Sequence, residues 1–234
     1  VRERLAALDW RTIEASLFER GFATTPRLLE APECAALIEL YADARRFRKT
    51  VDMARHGFGE GEYRYFGDPL PPLVASLRGA AYRRLAPIAN RMEQALRRPA
   101  RWPAGLADLR RLCAARGQTL PTPLLLRYTA GGYNCLHRDL YGPVAFPLQL
   151  ACFLSEPGRD YEGGAFLLVE QRPRSQSAGE ALLPRRGEAV IFATAERPRR
   201  GVRGFHRAGL RHGVATVTGG ERWTLGVIFH DARS

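Results

Sequence analysis

Tyr133–Asn134–Cys135–Leu136–His137–Arg138–Asp139 is the stretch on which the reading of this chain turns. His137 and Asp139 are two residues apart, and on an extended strand residues i and i+2 share a face. An imidazole and a carboxylate can therefore approach one metal ion together while Arg138 points away. A third ligand has to come from elsewhere. Two histidines near the end of the chain are candidates, His206 in the loop-like Gly204–Gly209 and His212 at the head of a strand-like run. Two histidines and one carboxylate on one side of an iron leave its other positions open, an arrangement suited to oxygen chemistry.

An H-x-D pair by itself is weak evidence, so its surroundings matter. Leu124–Tyr128 is an apolar run, Thr129–Gly132 a turn, and Leu148–Ser155 another apolar run. Ala165–Glu170, Ala189–Thr194, His212–Val217 and Trp223–His230 also read as strands, with turn signals at Gly163–Gly164, Gly187–Glu188 and Gly219–Gly220. Gln171–Glu180 is polar and loop-like. Short strands at this density imply a sandwich or barrel.

With these pieces in order, the chain resembles the iron(II)/2-oxoglutarate-dependent dioxygenases. The resemblance rests on R-Y-x-x-G-G from Arg127, the H-x-D pair, a distal histidine, and Arg222–Trp223–Thr224 ten residues beyond His212. It implies an α+β fold, a double-stranded β-helix (jelly-roll) core with N-terminal helices packed on it. It selects His212 over His206 as the partner of His137 and Asp139. It assigns Arg222 to the distal carboxylate of 2-oxoglutarate, with Tyr128 and Thr224 as hydroxyl donors. Fe(II), 2-oxoglutarate and dioxygen are the implied cofactor and co-substrates. Strand parity sets a condition. If Gly219–Gly220 closes a plain two-residue hairpin, Thr218 pairs with Glu221, and His212 and Arg222 face opposite sides. A bulge or an odd loop is then required.

The 234 residues suit one domain: a helical part over 1–119 and the β-helix core over 120–234. Apolar positions predict a helix over 3–20 broken near Asp9 and capped at Gly21, a short strand from Phe22, and a helix over Pro32–Arg48. A long helix follows Pro71–Pro72 towards Leu96, with Pro87 as a kink. Residues 52–66 mix glycines, aromatics and cations, and read as a substrate-facing lid in which Arg55, His56, Tyr63 and Tyr65 contact the substrate. The plainer alternative is an exposed loop with a strand behind it.

The formal charge is +12, from 36 basic and 24 acidic residues, which favours phosphate-rich or anionic partners. All basic residues but Lys49 are arginines and Ala, Gly and Pro abound, a pattern that GC-rich coding also produces. No apolar run reaches the roughly 20 residues of a membrane span, and no leader pattern opens the chain. Cys34, Cys113, Cys135 and Cys152 lack C-x-x-C spacing and read as reduced, packed thiols, Cys135 included, which places the protein in the cytoplasm.

Residues 55–66, Leu85–Arg91 and the H-G-V and F-H-D-A pieces of the tail look like a bacterial oxygenase group that oxidatively demethylates damaged nucleic-acid bases, and so belongs to DNA repair. Such an enzyme works on a single strand or a flipped base. Two alternatives are a prolyl-hydroxylase-like enzyme acting on a protein or small molecule, and a non-catalytic cupin-like metal-binding module.

Overall fold

The computed structural model describes residues 1–171, 176–202 and 204–233. The helices are α1 (Arg2–Ala6), α2 (Trp10–Arg20), α3 (Ala31–Glu39), α4 (Pro72–Ala95) and α5 (Leu106–Ala114). The first half of the chain also holds β1 (Phe22–Thr25), β2 (Phe47–Asp52), β3 (Gly59–Glu60), β4 (Glu62–Phe66) and β5 (Gln118–Leu120). The second half begins with β6 (Leu124–Thr129), β7 (Tyr133–His137), β8 (Leu148–Phe153), β9 (Tyr161–Gly163) and β10 (Phe166–Gln171). It continues with β11 (Ala178–Leu182), β12 (Ala189–Ala193), β13 (Glu196–Gly201), β14 (Gly204–Val214), β15 (Val217–Val227) and β16 (Ala232–Arg233).

Local chemistry explains the helix ends. The Asp9 carboxylate accepts from the Arg11 and Thr12 amides and so starts α2, which separates it from α1. Gly21 closes α2 with φ +83°, open to glycine at little cost. The helix expected over Pro32–Arg48 is shorter. It stops at Glu39, and two single 3₁₀ turns lead into β2. The Asp43 carboxylate accepts from the Arg45 amide, a turn-forming bond that competes with continuing the helix. α4 runs without interruption through Pro87.

Two antiparallel sheets build the core. The larger runs β1-β12-β8-β15-β6-β4-β2, with β9 added beside β15; the smaller runs β11-β10-β14-β7-β3, with β13 beside β14. Every residue of β8 and β12 is buried because each strand is covered on both faces. Leu148, Leu150, Cys152, Ile191, Leu225 and Val227 pack on the helices, with Leu17, Leu77 and Leu85 among their partners. The alternate residues Ala151, Phe153, Val190 and Phe192 meet Phe166 and Leu168 of the smaller sheet. Alternation along a strand thus splits the core into a helix-facing layer and an inter-sheet layer.

Four expectations are corrected here. The boundary at residue 119 does not separate helices from sheet, because β1 pairs with β12 and β4 lies between β2 and β6 in the larger sheet. The second half of the expected lid is a ladder-bonded interior strand, as the plainer alternative of a loop with a strand behind it has it, and β3 is tied to β7. The polar Gln171–Glu180 stretch is not all loop: Ala178–Leu182 pairs with β10, while residues 172–175 lie outside the described residues. Gly219–Gly220 is no hairpin turn but part of β15, opposite Glu162 and Tyr161. β14 and β15 enter different sheets, so His212 and Arg222 meet across the sandwich and the parity condition does not apply. Irregularities exist all the same, between Val217 and Gly219 against β9 and between His212 and Val214 against β7.

His230 follows β15. It is fully buried, its Nδ1 accepts from the Phe146 amide at 3.1 Å, and burial pushes its imidazole down to about 4 from 6.5. The folded protein then binds fewer protons than the unfolded chain between those values. Its contribution to stability is complete above the unfolded pKa and is lost as pH falls towards 4, at most about 3 kcal/mol. Urea midpoints should fall between pH 7.5 and pH 5, and His230→Asn should flatten that dependence.

Candidate metal centre and its cavity

His212 of β14 stands directly opposite His137 of β7 in the ladder, and their ring centroids are 4.2 Å apart. Asp139 follows two residues after β7. Its Oδ2 lies 3.2 Å from His212 Nε2 and its Oδ1 lies 3.5 Å from His137 Nε2. The three ligand-type atoms are within 4.8 Å of one another, the grouping among the described residues that could hold a metal ion. His137 Nδ1 sits 2.8 Å from the Cys135 carbonyl oxygen. A carbonyl only accepts, so this contact puts the proton on Nδ1 and leaves the Nε2 lone pair facing Asp139. Burial lowers the His137 pKa, with the neighbouring His212 as a second cause. Both effects favour the neutral imidazole that a metal requires. The Asp139 carboxyl is held well below the usual carboxylate range: burial alone pushes it up, but bonding and charge from His212, His137 and Tyr141 outweigh that.

The same cavity, about 380 Å³, reaches Arg222, Thr224 and Tyr128. Arg222 and Tyr128 are cross-strand partners on β15 and β6, so both project between the sheets. Arg222 is 1% exposed and sits among the rings of Phe153, Tyr128 and Tyr161, with its guanidinium carbon 5.3 to 5.9 Å from their centroids. Its Nη1 donates to Thr224 Oγ1 at 2.8 Å, while Nε and Nη2 make no hydrogen bond of ordinary geometry, with the Tyr161 hydroxyl close enough to interact. A buried cation with idle donors and no carboxylate beside it is a costly feature. It fits a site that receives an anion. The Tyr128 hydroxyl accepts from Asn134 Nδ2 at 3.3 Å, and burial pushes its pKa up to about 12, so it remains a neutral donor.

The candidate substrate residues divide. Tyr63 and Tyr65 line the cavity. Arg55 and His56 do not: both are exposed on a 3₁₀ turn, where Arg55 pairs with Asp52 at 3.2 Å and His56 stacks on Phe58. Phe58 and Met53 of that segment reach the cavity instead. Cys135 is not a packed thiol; it is exposed at the cavity, because β7 carries only the two-residue β3 on its far side. Arg138 donates to the Leu210 carbonyl and to Gln171, away from the two residues that flank it. His206 is not in a loop but on β14, paired with Arg199 and exposed.

Sequence reasoning passed over two cavity residues. Tyr141 donates to Asp139 Oδ1 at 2.7 Å, and its i+2 spacing from Asp139 was a usable signal. Gln149 is buried with an unpartnered Nε2, and one amide in the apolar run Phe146–Leu154 marks a polar inner face.

Residues 61–232 match the family Oxygenase-NA, described as "Oxygenase, catalysing oxidative methylation of damaged DNA". The chain belongs to this family. It is an oxygenase, an oxidoreductase, and the non-catalytic cupin-like alternative is set aside. Two uncharacterized proteins from strains of Mycobacterium tuberculosis are each 44% identical over 195 residues, covering 82% of this chain and 84% of theirs. A Pseudomonas putida prolyl-4-hydroxylase structure is similar at TM-score 0.55 and 17% identity, over 96% of this chain and 100% of that one. A 2OG-Fe(II) family oxidoreductase from Burkholderia pseudomallei gives 0.54 and 18%, over 97% and 95%. These likenesses establish the double-stranded β-helix core. No helix among the described residues is long and apolar enough to cross a membrane.

Arg222→Met keeps most of the volume and removes the idle charge. It should raise the thermal midpoint of the protein measured without co-substrate, by about 1 kcal/mol or more of stability.

Proposed function

We propose that this oxygenase uses Fe(II), 2-oxoglutarate and dioxygen to oxidise an alkyl group on a damaged nucleic-acid base. One observation carries the reading: two imidazoles and a carboxylate converge in a cavity that also holds a buried guanidinium with idle donors. The donor set is the facial one of non-haem iron oxygenases. His137, Asp139 and His212 would hold the metal, which together with the co-substrate and dioxygen supplies a two-electron oxidation of a C–H bond. An N-methyl group so hydroxylated leaves as formaldehyde, which restores the base.

The chain's own contribution is binding and orientation. Arg222, steadied by Thr224, offers two N–H donors to the distal carboxylate of 2-oxoglutarate, and a guanidinium matches that group in two-pronged fashion. The aromatic cage around it excludes water and strengthens the pairing. Tyr63 and Phe58 give the cavity flat faces suited to a base, and the surplus of 12 positive charges favours a polyanionic substrate. The description of the family supports the nucleic-acid reading over the prolyl-hydroxylase-like one, for which the fold likeness alone speaks.

Succinate formation with Fe(II) and 2-oxoglutarate should rise when methylated single-stranded oligonucleotides are added, with loss of the methyl mass from the oligonucleotide. Stimulation by peptides or free amino acids alone would overturn the substrate assignment. Asp139→Ala and His137→Ala should abolish turnover. Arg222→Ala should raise the KM for 2-oxoglutarate at least about tenfold, as loss of a charge-assisted pair of roughly 1.5–3 kcal/mol predicts, with a smaller change in kcat at saturation.

A further inference from the structure

We propose that Tyr141 is a positioning residue that orients the Asp139 carboxylate, and that Tyr65 holds Tyr141 in place from the larger sheet. The proposal rests on the reading of His137, Asp139 and His212 as metal ligands.

Asp139 needs such a device because no ladder fixes it. β7 ends at His137, and residues 138–147 form no helix or strand. His137 and His212 are held by strand pairing, whereas the carboxylate stands on irregular backbone. The structure supplies the missing constraint through hydroxyls. Tyr141 donates its one proton to Asp139 Oδ1 at 2.7 Å, and its oxygen accepts from the Tyr65 hydroxyl at 3.0 Å. Tyr65 in turn is anchored. It belongs to β4, paired with Lys49 of β2 and Leu124 of β6, and it is buried. The Arg48 guanidinium covers its ring at 4.6 Å and is itself tied by Nε to the Pro121 carbonyl.

The two donors point the same way, so each strengthens the next, and the chain ends on the carboxylate. The two oxygens of Asp139 then differ. Oδ1 is occupied by the Tyr141 hydroxyl, while Oδ2 faces His212 Nε2 with no hydroxyl upon it. Oδ1 also lies 3.5 Å from His137 Nε2, so the Tyr141 bond fixes how the carboxylate faces both imidazoles. This gives Tyr65 a task distinct from the substrate contact expected of it: it links the metal-binding loop to the larger sheet. Groups that orient a ligand in this way typically change metal affinity by about 10–100-fold when removed.

Mn(II) affinity of the purified metal-free chain, read from the free-ion EPR signal, tests the proposal without turnover. Tyr141→Phe keeps the ring and should weaken binding by about tenfold or more, with a changed Co(II) absorption spectrum and a nearly unchanged thermal midpoint of the metal-free protein. Tyr65→Phe leaves the Tyr141–Asp139 bond in place and should weaken binding in the same direction but less. Wild-type affinity and an unaltered Co(II) spectrum in Tyr141→Phe would overturn the proposal. Should that variant not fold, wild-type affinity in Tyr65→Phe overturns the anchoring half. The metal-centre reading fails separately, if His212→Ala binds Mn(II) as tightly as wild type.

Discussion

The pairing of His212 directly across from His137 is the constraint on which this structure depends. It requires β14 and β7 to be neighbours in the smaller sheet, although the two histidines are far apart in sequence. The long register of β14 against β10, from Gly209 to Val214, holds the distal histidine in place. The inner face of β10 supplies Phe166, which closes the cavity behind the His212 ring. With both imidazoles on ladder-bonded strands, the carboxylate is the one ligand-type group left on irregular backbone, and the tyrosine hydroxyls meet it there.

A second constraint is electrostatic. Arg222 projects from the larger sheet into the same space, with no acid beside it and two donors idle. Most buried polar groups in folded proteins are satisfied, and exceptions call for an explanation. The equally buried Arg78 places its guanidinium on the Ile228 and Phe229 carbonyls and on Asp231, and so ties α4 to the end of β15. The contrast between the two arginines separates a structural role from a receptive one. Asp139 and Arg222 line one cavity, so a metal held at the first and an anion received by the second would share that space.

Much of this was legible from residues alone. The apolar runs of β6, β8 and β12 and the Asp9 and Gly21 breaks follow from local rules, and the structure keeps them; Asp139 does approach His137, but the strand expected to carry both ends at His137. The errors have a common cause. Glycine pairs, a lone histidine and a polar stretch were assigned by local character, yet Gly219–Gly220 and His206 lie inside strands and Ala178–Leu182 pairs as one. In each case tertiary pairing overrode local preference, as it readily does for strands. Arg55 and His56 were grouped with Tyr63 and Tyr65 by proximity in sequence. A 3₁₀ turn at Ala54–His56 and the entry of β4 into the sheet send the two pairs in different directions.

By itself the sequence determined the chemical types, their order and the faces on which they stand along each strand. Periodicity and turn chemistry act over a few residues and are written in the chain directly. Only the tertiary structure decided that His212 and Arg222 lie on opposing sheets, that Cys135 is open to solvent, and that Tyr65 and Tyr141 steady Asp139. Those outcomes depend on which strands become neighbours, a collective choice made by burying both faces of the larger sheet at once, and no single segment carries that information.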